Sequence, residues 1–259
     1  MQTKDITMDH EIGLGIDIGG SGIKGAPVNL QTGELVADRL RIDTPQPSTP
    51  DAVADIVAKI VDDFSSQTGE RPVGVTIPAV VKSGVVRTAA NIDQSWIGAN
   101  GAALLSEKVN RPVHLMNDAD AAGVAEARYG AARATKGLVF MATLGTGIGS
   151  ALLYDGTLIP NAELGHLEID GHDAEKRAAS SIKEQEGLSW EVWAERLQVY
   201  FSRVEDLLWP DLIVVGGGVS KKADKFLPLL HLRAPIVAAQ LMNSAGIVGA
   251  ARLAHERQA

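Results

Sequence analysis

Apolar residues in this chain come either in short dense runs closed by glycine turns or in longer stretches where they recur at three and four. The run from Leu14 to Ile18 carries Asp17 at its end and leads into Gly19, Gly20, Ser21 and Gly22, with Lys24 just beyond. Two further apolar runs follow, parted by Thr32-Gly33. Leu14 to Val36 therefore predicts strand, glycine turn, strand, tight turn, strand. Beyond a proline-rich loop, Pro50 suits a first helical position with Thr49 as cap. Val53, Ile56, Val57, Ile60, Val61 and Phe64 then draw one apolar stripe on a helix. Residues 73–77 read as a buried strand stopped by Pro78, and Val85-Val86 as a short strand. A helix over 102–109, a strand over 112–116 and an alanine-rich helix over 119–129 follow.

The opening pattern then returns. Residues 138–144 are apolar, Gly145-Thr146-Gly147-Ile148-Gly149 makes a turn, 151–154 is apolar, Asp155-Gly156 turns again, and Leu158-Ile159 closes the set. Shared order with little shared identity is most economically an internal duplication. Ser189 can cap a helix bearing Trp190, Trp193, Leu197, Tyr200, Phe201, Val204 and Leu208. Helical spacing explains these aromatics as core, not as a sugar-stacking platform. A strand over 211–215 runs into Gly216, Gly217 and Gly218, followed by a helix over 221–230, a short strand over 235–239 and a last helix over 244–256. Strands alternating with helices predict an α/β protein. The composition breaks near Asn117. We expect one α/β domain over 1–116, a second over 117–245, and the C-terminal helix 246–259 packing back on the first.

Composition narrows the function. The 259 residues, 45% of them hydrophobic, suffice for one large core or two. A net charge of −8 disfavours nucleic acid and membrane surfaces as partners, so a polyanion would need a local basic patch. The absence of cysteine excludes disulfides, thiolate catalysis and Cys-ligated zinc. The N-terminal stretch MQTKDITMDHEIG is polar and lacks the apolar core of a signal peptide, and no apolar run is long enough for a bilayer; a soluble cytoplasmic protein is expected.

Glycine turns at strand ends leave backbone N–H groups open to an anion, and a carboxylate there can hold a hydrated Mg²⁺ beside it. The first turn is thus a candidate phosphate grip, with Asp17 toward the metal. Gly20-Ser21-Gly22-Ile23-Lys24-Gly25 also matches the dinucleotide fingerprint, but that motif needs a helix next, and Pro27, Asn29 and Thr32-Gly33 stand there instead. Asn117-Asp118 falls where a strand meets a helix, the usual ligand position in open α/β sheets. Asp118 can take a proton from an attacking hydroxyl. Its competing role is helix cap, for which Asp120 is the better candidate. Glu163, His166 and Glu168 surround Gly165, which breaks any helix, so H-E-x-x-H metal logic fails and a polyhydroxylated ligand fits better. Three glycine turns at strand ends, with acids beside them, point to a nucleotide or polyphosphate cleft.

DIGGSGIKG, LGTGIG, ELGH and VVGGGVS together resemble the ROK branch of the sugar-kinase/actin/Hsp70 superfamily over almost the whole chain. Within that branch the sequence looks most like the bacterial polyphosphate glucokinases, including the glucomannokinase type that also accepts ATP. The cysteine-rich zinc loop usual in the branch is replaced by LEIDGHDAEKRAAS, so no zinc is expected. The resemblance implies an actin-like, ribonuclease H-like two-domain fold with its ligand cleft between the duplicated halves. It implies Asp118 as base on the sugar 6-hydroxyl and Asn91, Asn117, Glu163, His166 and Glu175 around the sugar. Asp17, Gly19, Gly20, Ser21 and Lys24 would hold the transferred phosphoryl group with Mg²⁺, Gly145, Thr146 and Gly147 the next phosphates, and Gly217 and Gly218 the adenosine of ATP. Glucose, mannose, polyphosphate and ATP are the implied partners, and a homodimer the implied assembly. Lys82, Arg87, Arg133, Lys136, Lys221, Lys222 and Lys225 are candidates for a polyphosphate track. A strictly ATP-dependent glucokinase is the rival enzyme. ROK repressors carry a helix-turn-helix segment, and the few residues before Leu14 are too short for one, so DNA binding is not expected.

Overall fold

The computed structural model describes residues 11–257. The polar stretch 1–10 and the last two positions of the helix expected over 246–259 lie outside the described residues. In chain order the elements are β1 (Ile12–Ile18), β2 (Gly22–Asn29), β3 (Leu40–Asp43), α1 (Pro50–Asp63), α2 (Ser65–Thr68), β4 (Val73–Ile77), β5 (Val81–Lys82), β6 (Val85–Val86), α3 (Gly101–Val109) and β7 (Val113–Asn117). There follow α4 (Asp118–Tyr129), β8 (Leu138–Leu144), β9 (Ile148–Tyr154), β10 (Thr157–Ile159), β11 (Glu168–Ile169), β12 (His172–Asp173), α5 (Glu175–Ala178), α6 (Ser180–Gln185), α7 (Trp190–Leu208), β13 (Leu212–Gly216), β14 (Ile236–Ala238) and α8 (Ala245–Glu256).

The two large sheets have the same topology. One runs β3-β2-β1-β4-β7 and the other β10-β9-β8-β13-β14. In each, three antiparallel strands are extended by two parallel ones. Strand alternation sorts the side chains. Leu14, Ile16 and Ile18 pack with Val57 and Ile60 of α1 in one core, and Phe140, Ala142 and Leu144 pack with Trp193, Leu197 and Phe201 of α7 in another. The opposite faces of both sheets share a third core with α4 and α8, where Val28, Met141, Ala125 and Val248 meet. The same alternation puts Asp17 and Thr143 on these inner faces, at the ends of β1 and β8.

Helix α8 approaches the first sheet at backbone distance. A Cβ on Gly15 would collide with the carbonyl of Ile247, and one on Gly74 with that of Ala250. Glycines inside strands β1 and β4 are where this helix backbone rests.

Local chemistry explains most boundaries. Thr49 Oγ1 accepts the Ala52 N–H at the start of α1, and Ser189 Oγ accepts the Val192 N–H at the start of α7. Three expectations need correction. The third strand of the opening hairpin begins at Leu40, not after Thr32-Gly33; Leu35 makes only an isolated bridge to Val28, and Val36 is solvent-exposed. The helix expected over 221–230 is two 3₁₀ stretches, Gly218–Lys225 and Leu227–Leu229, with Lys222 out of helical geometry and Pro228 in the second. The cap of α4 is Asn117: its Oδ1 accepts the N–H groups of Ala119 and Asp120 at 2.8 and 3.1 Å, while Asp120 turns elsewhere. Among the described residues, no helix is long and apolar enough to cross a membrane.

Candidate active site

The two glycine turns face a common cleft. The first, residues 19–22, is a short turn between Ile18 and Ile23, braced by Thr44, whose Oγ1 donates to the Gly19 carbonyl at 2.5 Å, and by Arg41, which donates to the Ser21 carbonyl at 3.0 Å. The second, residues 145–147, is held by Ser180 and Ser181, which donate to the carbonyls of Gly145 and Thr146 at 3.0 and 2.7 Å. The cleft has a volume of about 610 Å³ and is lined by Asp17, Gly19, Gly20, Ser21, Asn91, Asp118, Gly145, Thr146, Gly147 and Gly217 from the expected set, together with Ile18, Pro78 and Thr143. A smaller cavity of about 180 Å³ adjoins it through Asp17, Asp118, Thr143 and Gly217, and is lined by Lys24 and by Gly246 at the start of α8. Gly218 lines neither cavity.

Hairpin register sets Lys24 directly opposite Asp17, with its Nζ 3.9 Å from the carboxylate. On the other side, Asp17 pairs in register with Thr76 of β4, whose Oγ1 donates to Asp17 Oδ1 at 2.8 Å. Asp118 opens α4, and its Oδ1 accepts the Ala119 N–H at 2.9 Å. Burial pushes the Asp118 carboxyl up to about 7, and the charges of Asp17 and Glu163 push the same way, against the stabilising backbone N–H groups. A carboxyl so placed exchanges protons near neutrality.

Asn117 sits behind Asp118. Besides capping α4, it donates from Nδ2 to the Ala79 carbonyl at 3.2 Å, which leaves the second Nδ2 hydrogen to donate to a ligand. Glu163, His166 and Glu175 form their own cluster in the segment after β10. His166 Nδ1 lies 2.9 Å from Asp173 and 3.8 Å from Glu175, and its Nε2 lies 3.9 Å from Glu163. The hydrogen bond to Asp173 raises the His166 pKa, and burial raises that of Glu163. His166, Asp173 and Glu175 each offer an atom within 4.8 Å of the others, close enough for a shared cation as well as for hydroxyl groups. The other Glu175 oxygen accepts the N–H of Ile148, the residue after the second glycine turn, at 3.0 Å.

Several residues that shape this site escaped the sequence reading. Thr76 and Thr44 gain their place from hydrogen-bond partners 59 and 25 positions away and Thr143 from strand register with Gly216, whereas Asp173 meets His166 only seven residues off. The threonines had one local signal, a hydroxyl at a strand end beside a turn. Of the basic residues considered for a polyanion track, Lys221, Lys222 and Lys225 ride on the 3₁₀ stretch that starts just after the cleft-lining Gly217. Lys82 instead lines a separate cavity of about 260 Å³ with Asp120 and Arg257.

The ROK family model matches residues 13–180. The chain belongs to the ROK family. Among ROK relatives, it is 53% identical to the polyphosphate glucokinase of Mycobacterium tuberculosis, over 92% of this chain and 89% of that protein. It is 54% identical to the inorganic polyphosphate/ATP-glucomannokinase of Arthrobacter sp. strain KM, whose crystal structure superposes with a TM-score of 0.91 over 95% of this chain and 99% of the other. A ROK glucokinase from Streptomyces griseus, solved with glucose and AMPPNP, matches with a TM-score of 0.81 at 24% identity, over 95% and 99% of the two chains, and so bears on the fold alone. These neighbours share the actin-like two-domain ROK fold with this chain.

Proposed function

We propose that this protein is a hexokinase of the ROK family that moves a phosphoryl group from inorganic polyphosphate or ATP to the 6-hydroxyl of glucose, and also of mannose. The observation that carries the reading is one cleft joining two glycine turns to a carboxylate poised near neutrality. The 53% and 54% identities to a polyphosphate glucokinase and a polyphosphate/ATP-glucomannokinase support the donor and the acceptor.

Phosphoryl transfer has a loose transition state and asks mainly for positioning and charge neutralisation. The turn 19–22 and Lys24 would hold the transferred group, and the turn 145–147 the next phosphates. Gly217 and Gly218 would stand beside the nucleoside when ATP is the donor. Asn91, Asn117, Glu163, His166 and Glu175 would orient the sugar, with carboxylates accepting from its hydroxyls. Asp118 would take the proton of the attacking hydroxyl as its bond to phosphorus forms and the donor's bridging P–O bond breaks, releasing ADP or the shortened polyphosphate. The units 1–116 and 117–245 would close on the sugar and limit loss of the donor to water.

A divalent cation fits the donor set. Asp17 and Asp118 face one cleft and repel each other, and a hard cation among oxygen ligands relieves that repulsion. Asp17, steadied by Thr76, would hold Mg²⁺ through its waters. When bound, the ion neutralises charge on the phosphates. We read the His166, Asp173 and Glu175 cluster as the sugar's and not a second metal's.

A matrix of initial rates tests the proposal, crossing long-chain polyphosphate and ATP with glucose and mannose in the presence of Mg²⁺. Turnover of glucose with polyphosphate is expected. Turnover with ATP alone would leave a strictly ATP-dependent kinase, and no sugar turnover with either donor would overturn the reading.

A further inference from the structure

The loop that leads to Glu163 is fastened to the first sheet unit through one residue. Asn161 Oδ1 accepts the Val81 N–H at 2.9 Å, and Asn161 Nδ2 donates to the Val81 carbonyl at 3.0 Å. The side-chain amide thus pairs with both polar groups of one backbone residue, as a neighbouring strand would. Val81 belongs to the β5–β6 hairpin, and its side chain is buried in the core of the first unit with Val86. Asn161 follows β10 of the second unit. The contact therefore crosses between the two units.

The same residue is tied to the catalytic helix. Its backbone N–H donates to Asp120 Oδ2 at 2.8 Å, and Asp120, two residues after Asp118, is 2% exposed. Asn161 reaches both partners from the left-handed region, with φ +60°. Asparagine tolerates that region better than most residues with a side chain. Just downstream, Ser150 Oγ donates to the Ala162 carbonyl at 2.5 Å and accepts the Leu164 N–H at 2.8 Å. Glu163 is thus held on both flanks to its own sheet by Ser150, and two residues upstream, through Asn161, to the opposite unit.

We propose that Asn161 is a positioning residue that latches the β5–β6 hairpin to the Glu163 loop, so that the sugar side of the site is fully formed only while the two units are joined there. This rests on the hexokinase reading above. The latch touches neither donor phosphates nor reacting atoms. Its loss should weaken sugar capture and leave the donor grip, made by turns elsewhere in the cleft, intact. Sugar held by Glu163 should in turn steady the hairpin, because the coupling is reciprocal.

The test uses the full chain. Asn161→Gly keeps the left-handed backbone and removes the amide. Asn161→Asp keeps the acceptor for Val81 N–H but sets a carboxylate against the Val81 carbonyl and near Asp120. With glucose and whichever donor the wild type uses, both variants are expected to raise the KM for glucose about fivefold or more. The donor KM and kcat should stay within about twofold, which mere destabilisation would not produce. In the unaltered protein, glucose is expected to slow hydrogen exchange at Val81 and across 81–86. An unchanged glucose KM in Asn161→Gly, a parallel rise in both KM values, or exchange at 81–86 indifferent to glucose would overturn the latch. A wild type that phosphorylates no sugar would instead overturn the hexokinase reading, and the latch with it.

Discussion

Glu175 Oε2 accepts the backbone N–H of Ile148 at 3.0 Å, tying the residue that opens β9 to the His166 cluster. The tie runs past Gly147: a Cβ there would strike the same carboxylate oxygen. The second glycine turn and the cluster proposed for the sugar are therefore directly linked. Gly147→Ala should push Glu175 aside and lower kcat/KM for donor and sugar together. The carboxylate ends a flexible side chain and can yield, so the cost in stability is chiefly its lost hydrogen bond to Ile148, about 1–3 kcal/mol. Steady-state kinetics in both substrates and denaturant titration would check this. A loss confined to the donor would show that the two sites are independent.

Asp118→Asn removes the base and keeps the shape. Asn still offers an oxygen to the Ala119 N–H that Asp118 now engages. We expect kcat to fall by roughly 10²–10⁴, the usual worth of a positioned general base. Glucose binding measured by calorimetry should stay close to wild type. Near-normal turnover would remove Asp118 from the chemistry.

The pH dependence follows from the same carboxyl. Its pKa is raised to about 7, chiefly by burial. Only the ionised form accepts a proton, so the metal-free pKa predicts that kcat/KM rises through about pH 7, and a bound cation would move the midpoint lower. For stability the sign is opposite. A carboxyl whose folded pKa exceeds its unfolded value holds its proton more tightly in the folded state, so its contribution is present at pH below about 4 and is lost as pH rises through about 7. Asp118→Asn should therefore melt higher than wild type at pH 8, with the gap narrowing toward pH 4. Thermal melts across that range would measure it.

Much of this was legible because the fold advertises itself locally. Asp17 next to Gly19-Gly20, and the repeat at Gly145–Gly147, are strand-end patterns that need no distant partner to be recognised. Dense apolar runs closed by turns and period-3.6 stripes placed nearly every large element. The sequence was silent where function depends on residues far apart in the chain. Thr76 meets Asp17 across 59 positions, and Asn161 meets Val81 across 80. Neither pairing leaves a periodic trace. The Asn117 cap was misassigned for a related reason. Asn117, Asp118 and Asp120 are all good cap residues, and only the backbone decides which precedes the first helical turn. Gly15 and Gly74 were readable as strand glycines, but the helix resting on them comes from the far end of the chain.

Asp17 and Asp118 are coupled across the cleft, and the coupling can be read out without a bound ligand. Asp17 is the charge that most raises the Asp118 pKa after burial itself. Neutralising it in Asp17→Asn should lower the Asp118 pKa, shifting the titration of that carboxyl toward more acid pH in the metal-free protein. Two further consequences separate this from simple damage. With Asp17 proposed to hold the cation, the same variant should need more Mg²⁺ for half-maximal rate. Thr76→Val removes the hydroxyl that donates to Asp17 Oδ1 but leaves both charges in place. It should raise the Mg²⁺ requirement more modestly and leave the Asp118 titration near its wild-type position. Carboxyl-resolved NMR titration and a Mg²⁺ dependence of initial rate supply the two readings. An Asp118 midpoint unmoved by Asp17→Asn would mean that burial alone sets it and that the two carboxylates do not share the cleft electrically.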